Sequence, residues 1–198
     1  PSAVTVITRE DIETSGASTL PDLLRLVPGM DVIRSSPFYA AVTARLYWTY
    51  ENNHFLVLID GREANLEMVG QAPWEIQPIS IEDIERIEVI RGPASSLYGA
   101  NAVAGVITIT TRGIPEKSTV RARGAGGEVG ALRANTMAAA RVGDWGFAIH
   151  GGFDRTGSFG DPRLEGKRVW KLRSLAEYRW SERRRLLFEA GLSQATGP

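Results

Sequence analysis

The chain has no cysteine and only two histidines, His54 and His150. The first shortage excludes disulfide staples and thiolate-bound metals. The second leaves no HxH or HxxxH spacing with which a short segment holds zinc. No stretch approaches the ~20 apolar residues of a membrane-crossing helix. No secretory leader is visible either, because Pro1 opens directly into the strand-like residues 4–7. A chain that starts inside its first strand is expected to be a piece of a longer one, extended at both ends.

Catalytic constellations are missing too. Gly124, Gly126 and Gly127 form a glycine-rich stretch. Without GxGxxG spacing or a following helix, it reads as a strand meeting a tight loop. Ser95 and Ser96 lie near Gly92 but form no GxSxG. Glu82, Asp83, Glu85 and Glu88 are acids of the kind general acid–base chemistry uses, yet a solvated helix-and-strand face accounts for them. No enzyme, cofactor or metal centre is expected.

What is present divides unevenly. Net charge is zero, but residues 1–117 carry 9 Lys and Arg against 15 Asp and Glu, a net of −6. Residues 118–198 carry 14 against 8, a net of +6. The reversal marks a domain boundary, giving 1–117 and 118–198. The arginines of the second part are spread by strand alternation rather than clustered, so nucleic acid is not an expected partner.

The first part mixes helix and strand signals. Thr8 is placed to cap a short helix, with Asp11 answering at its third position, and Gly16 ends it. Thr19 caps a second helix with Pro21 in its first turn. Leu20, Leu23, Leu24 and Val27 make one apolar stripe, and Pro28-Gly29 stops it. Phe55–Ile59 is apolar throughout, as in a strand buried on both faces, and Asp60-Gly61 reads as the turn after it. An irregular aromatic stretch holds Tyr47, Trp48 and Tyr50, and residues 62–79 form another with Trp74. Long loops in a compact domain are usually functional or disordered.

After Lys117 the texture changes to alternation. Leu132–Val142, Trp145–Thr156, residues 169–180 and residues 185–194 each place apolar side chains on one face and polar ones on the other. Segments of about ten such residues mark a transmembrane β-barrel; alternation alone also fits a half-buried soluble antiparallel sheet. The turns at 143–144 and 181–184 are short and the connection at 157–168 is long, the asymmetry of bacterial barrels. Leu132, Phe147, Ile149, Leu172 and Phe188 are expected to face lipid. Arg133, Arg141, Lys171, Arg173, Arg179 and Glu189 are expected to face the lumen. Five strands cannot close such a barrel, and an unclosed edge in lipid is prohibitive.

The ordered motifs carry a resemblance. Residues 88–93 read EVIRGP, Leu97-Tyr98-Gly99 follows, and residues 105–109 read GVITI. With residues 18–32 and the FLVLIDG of 55–61, they resemble the plug domain of TonB-dependent outer-membrane receptors. The resemblance covers residues 1–112. It implies an α+β plug domain followed by antiparallel strands of an incomplete transmembrane β-barrel, with the plug in the lumen facing the periplasm of a bacterial outer membrane. It implies uptake of a scarce bulky nutrient, such as an iron siderophore, haem or cobalamin, energised by TonB. TonB would act through a box upstream of Pro1. In this family the Arg of the EVxRGP motif helps dock the plug against barrel carboxylates. That residue is Arg91 here, with Glu88 as a local partner. The aromatic loops bearing Tyr47, Trp48, Tyr50 and Trp74 would either present a ligand platform or pack on the wall. A soluble periplasmic binding or signalling module with a plug-like fold is the alternative.

Overall fold

The computed structural model describes residues 3–36, 39–44, 55–66, 70, 72–99, 102–128, 130–157, 166–181 and 184–197. They form two compact units. One is Pro1–Glu75 with Asp83–Arg112, the other Ile76–Glu82 with Gly113–Pro198. The charge pattern puts the boundary at Lys117. The units divide after Arg112 instead, and Ile76–Glu82 groups with the strands that follow.

In the first unit, β1 (Ala3–Ile7) leads into α1 (Arg9–Thr14) and α2 (Leu20–Leu24). Thr8 caps α1: its hydroxyl accepts from the Asp11 amide at 3.2 Å, and its own amide donates to Asp11 at 2.8 Å. Both orphan donors of the first turn are thereby satisfied. At α2 the Thr19 hydroxyl and amide both donate to Asp22, at 2.6 and 3.1 Å. Leu23, Leu24 and Val27 are buried, as their stripe predicts. Gly29 ends the segment at φ +76, a left-handed turn that favours glycine.

Then come the two-stranded ribbon β2 (Met30–Ser36) and β3 (Tyr39–Ala44), followed by β4 (Phe55–Ile59) and β5 (Arg62–Glu63). After them run β6 (Ile84–Arg91), α3 (Ser95–Tyr98) and β7 (Gly105–Thr111). The five-stranded sheet has the order β1-β6-β7-β4-β5. β4 and β7 are parallel and the other neighbours antiparallel. Leu56, Val106, Ala94 and Ala102 pack as a cluster, and Val57, Val89 and Ile107 share one cross-strand row. That row is fully buried, and Leu56 is buried on the opposite face, so β4 is apolar on both. Leu58 is only partly buried. Asp60, at φ +49, does more than turn the chain: its carboxylate accepts from the Thr111 amide at 2.8 Å and hydroxyl at 2.6 Å, fastening the end of β7. Where β5 stops, the Asn65 side chain continues the ladder. It accepts from the Val57 amide at 2.8 Å and donates to the Phe55 carbonyl at 2.9 Å.

The second unit is one antiparallel sheet in chain order, β8 (Thr119–Gly126), β9 (Leu132–Val142), β10 (Trp145–Thr156), β11 (Lys167–Ser181) and β12 (Arg184–Thr196). Gly143, at φ +59, opens the two-residue turn between β9 and β10. Among the described residues, β8 and β12 are unpaired edges, so the sheet is open. It is an incomplete barrel: in lipid, such edges are satisfied only by further strands.

Candidate functional site

The five-stranded open sheet has two chemically opposite faces. On one, Phe147, Ile149, Leu172, Phe188 and Leu192 are about half exposed or more. Rows of this face run from the tilted pair Trp145 and Tyr178, ring centroids 4.9 Å apart, to Phe153 and Trp170, 4.3 Å apart. The eight residue steps from Trp145 to Phe153 span about 26 Å along the strand. Between those rows the described residues place no charged side chain on this face. An apolar band of about 25 Å flanked by aromatic rings suits a bilayer.

The other face is charged and covered. Lys167, Arg173 and Glu177 are each under 5 % exposed. Arg141 donates to Glu177 at 2.9 Å, Arg179 to Glu177 at 2.7 Å, and Arg173 to Glu189 at 2.6 Å. Arg133 and Lys171 share Asp154. A buried charge is tolerable only when paired in this way.

Two segments of the second unit lie on this face. Residues preceding β8 supply Ile114, which packs with Ala139, Ala148 and Leu175. Arg141 donates to the Ile114 and Pro115 carbonyls at 3.1 and 3.2 Å. Glu116 accepts from Arg179 at 2.8 and 3.1 Å. Those hydrogen bonds hold the Glu116 carboxyl below its ordinary range against partial desolvation, and Arg141 adds to the effect. Gly146 makes the arrangement possible, since a side chain there would meet the Arg141 guanidinium at 2.8 Å.

The second segment is Ile76–Glu82. Lys171 donates to the Ile79 carbonyl at 3.1 Å, and the Ser193 hydroxyl donates to the Ile76 carbonyl. Its side chains sit where the sheet has none. A Cβ on Gly191 would meet Pro78 at 2.8 Å, and one on Gly152 would meet Ser80 at 2.9 Å. Nothing in the sequence signalled this seat, because strand glycines carry no partner's name. The inward face of Glu177 was readable from its period of two; its sharing of Arg141 and Arg179 with the Pro-flanked Glu116 was not.

The first unit brings two motif segments together. Arg91 donates through Nη1 to the Pro28 carbonyl, in the turn that ends the α2 segment, and a side chain on Gly29 would crowd that guanidinium at 3.3 Å. Arg91 Nε is buried and has no acceptor among the described residues. The local partnership with Glu88 does not form. Glu88 pairs with Arg86 at 2.7 Å, because residues three apart on a strand point to opposite faces. Arg91 instead shares the face of Ile87 and Val89. Asp83 is buried rather than on a solvated face, while Glu85 lies 3.7 Å from Arg112. Trp74 is buried, 7 % exposed. Tyr47, Trp48 and Tyr50 lie outside the described residues. A second charged cluster, unforeseen from the sequence, links Arg34 to Glu75 at 2.6 Å, to Thr19 at 2.8 Å and to Asp22 at 3.6 Å.

Comparison with known proteins bears on both units. The family model described as TonB-dependent Receptor Plug Domain matches residues 1–106. The vitamin B12 transporter BtuB of Vibrio vulnificus (strain CMCP6) is 37 % identical over 163 residues, 80 % of this chain and 26 % of the transporter. The chain thus spans about a quarter of the length of the curated relatives it matches. The siderophore receptor PirA of Pseudomonas aeruginosa superposes with TM-score 0.73 at 25 % identity, over 98 % of this chain and 34 % of the receptor. The pyoverdine outer membrane receptor FpvA of Pseudomonas aeruginosa PAO1 gives 0.80 at 17 % identity, over 98 % and 27 %, a likeness of fold.

Proposed function

The chain belongs to the TonB-dependent receptor plug family, and from that premise we propose that its receptor imports a scarce bulky nutrient across a bacterial outer membrane. The single observation that carries the reading is a plug-family unit followed by a sheet of inverted polarity. Apolar side chains face out between aromatic rows, and paired charges face in under Ile76–Glu82 and residues 113–116. Residues 1–117 act as the plug and 118–198 as the first wall strands. The plug occupies the lumen on the periplasmic side, and TonB pulls on a segment upstream of it. A soluble sheet would hide Phe147 and Phe188 and expose Arg173, the reverse of what is seen.

A corrinoid is the first ligand to test, because two sequence relatives, 37 % and 31 % identical, are vitamin B12 transporters. Ferric siderophores are the comparison arm. Cells lacking their own cobalamin receptor but making the full-length protein are expected to bind labelled cyanocobalamin. They should accumulate it only while TonB and the proton gradient are intact. Recovery of the protein from the soluble periplasm, or accumulation indifferent to loss of TonB, would overturn the reading.

Arg91 docks the plug in this scheme. Support comes from its buried Nε, which is left for an acceptor outside the described residues. Arg91→Ala in the full-length receptor is expected to lower uptake while the barrel stays folded and heat-modifiable on gels. Unchanged uptake would remove the docking role.

A further inference from the structure

Above the aromatic row of Phe153 and Trp170, the apolar face ends in two arginines. Arg155 on β10 and Arg168 on β11 are direct cross-strand partners, and both are exposed. Parity puts them on the outward face, because Asp154, one position earlier, pairs inward with Arg133 and Lys171. Neither forms an ion pair or hydrogen bond with a described residue. Like charges directly opposite on a sheet repel, so the pair is costly unless an anion bridges it.

Two guanidinium forks side by side suit a phosphate, which accepts several charge-assisted hydrogen bonds at once. Their height selects the source. Aromatic rings sit at headgroup level in barrel proteins, with apolar chains on one side and water on the other. This row also borders the long connection of residues 157–166, the outer side of a bacterial barrel. Farther down, the outward face dips at Ala138, Ala140, Ser174 and Ala176, which flank the larger Phe147 and Ile149 on the two neighbouring strands. Such a hollow accepts an acyl chain.

We propose that Arg155 and Arg168 hold the phosphate of an outer-leaflet glycolipid, whose acyl chains lie along the face below. The inference rests on the outer-membrane reading of the sheet and on its orientation.

The test uses the full-length receptor in detergent with lipid A as the probe. Arms with dephosphorylated lipid A and with inorganic phosphate identify what is bound. Arg155→Gln with Arg168→Gln is expected to weaken lipid A binding on the order of tenfold or more. Arg155→Lys with Arg168→Lys should retain most of it. Arg121→Gln with Arg123→Gln, on the inward face of β8, should leave it unchanged. A heat-modifiable band shows that each variant is folded. Equal binding of lipid A by the glutamine variant overturns the site. Equal binding of the dephosphorylated lipid, or competition by inorganic phosphate at the lipid's own concentration, also overturns it. Failure of cobalamin uptake leaves the site standing, whereas recovery from the soluble periplasm defeats the membrane reading itself.

Discussion

The first unit turns its apolar side chains inward; the second turns them outward. In the first, Leu23, Ile87, Val89, Val106 and Ile107 are fully buried. In the second, Ile149, Phe188 and Leu192 are 51 %, 56 % and 68 % exposed, while Arg173 is 2 % exposed. Both are built largely from β-strands with the same period of two. The difference lies in the medium each face meets. The first unit buries a core of its own. The second is a single layer with open edges, and lipid outside and polar groups inside make sense of both faces.

The sharpest way to break the first unit is at Gly105. Its φ is +152, and a Cβ would lie 2.0 Å from the Ile90 carbonyl oxygen and 2.9 Å from the Phe55 ring. Neither neighbour is free to retreat, since one is strand backbone and the other a buried ring. Gly105→Ala is expected to cost more than about 4 kcal/mol. Denaturant unfolding followed by near-ultraviolet dichroism of the full chain measures it. A cost near zero would mean that β6 and β7 approach less closely than described.

The second unit offers a test whose size depends on the medium. Ile149 sits mid-band on the outward face. Replacing it with Arg should cost about 2–4 kcal/mol if that face meets lipid. At a half-exposed position in water it should cost within about 0.5 kcal/mol. Val4→Arg in the first unit, where Val4 is 62 % exposed, is the matched control and should be neutral. Unfolding of the full-length receptor from vesicles distinguishes the two. Equal effects at both positions would erase the contrast between the units.

How far the sequence reached follows the same divide. The bounds of β9 and β10 were legible to the residue, because a long alternation between charged and apolar side chains admits one strand register. The stripe of α2, its Thr cap and the Asp60-Gly61 turn were legible for equally local reasons. Arg91 was singled out by a motif, yet its contact with Pro28 spans 63 positions and has no local signal. The pairing of Glu88 with Arg86 was misread because a helix-like spacing of three was applied to a strand. The seating of Pro78 and Ser80 on Gly191 and Gly152 is recorded in the sequence only as small residues. Such absences become informative only once a partner is known.

The charged face supplies a smaller effect. Glu177 accepts from Arg141 and Arg179 and lies 3.5 Å from Arg185. Glu177→Gln keeps the shape and removes the charge. The expected loss is about 2 kcal/mol, because Glu116 still engages Arg179 and Arg141. Adding Glu116→Gln should cost more than the sum of the two single changes, as expected for groups sharing partners. Strict additivity in a double-mutant cycle would mean that residues 113–116 are not held by this network.

Acid provides the last and smallest probe, confined to the first unit. Burial works against ionisation of Asp22. The Thr19 hydroxyl, Arg34, the Ser18 hydroxyl and Arg25 outweigh it and hold the carboxyl below its ordinary value. A folded-state pKa below the unfolded one contributes stability that is fully present above the unfolded value, about 3.9. That stability is lost as pH falls through the lower, folded value. Asp22→Asn should therefore destabilise the unit near neutrality by about 1 kcal/mol, the scale of a lost cap. The deficit should shrink as the pH drops below about 4, where the native carboxylate is itself being protonated. Thermal melts of both chains across that range measure the convergence. A deficit that stays constant into acid would show that Asp22 stabilises the start of α2 by shape rather than by charge.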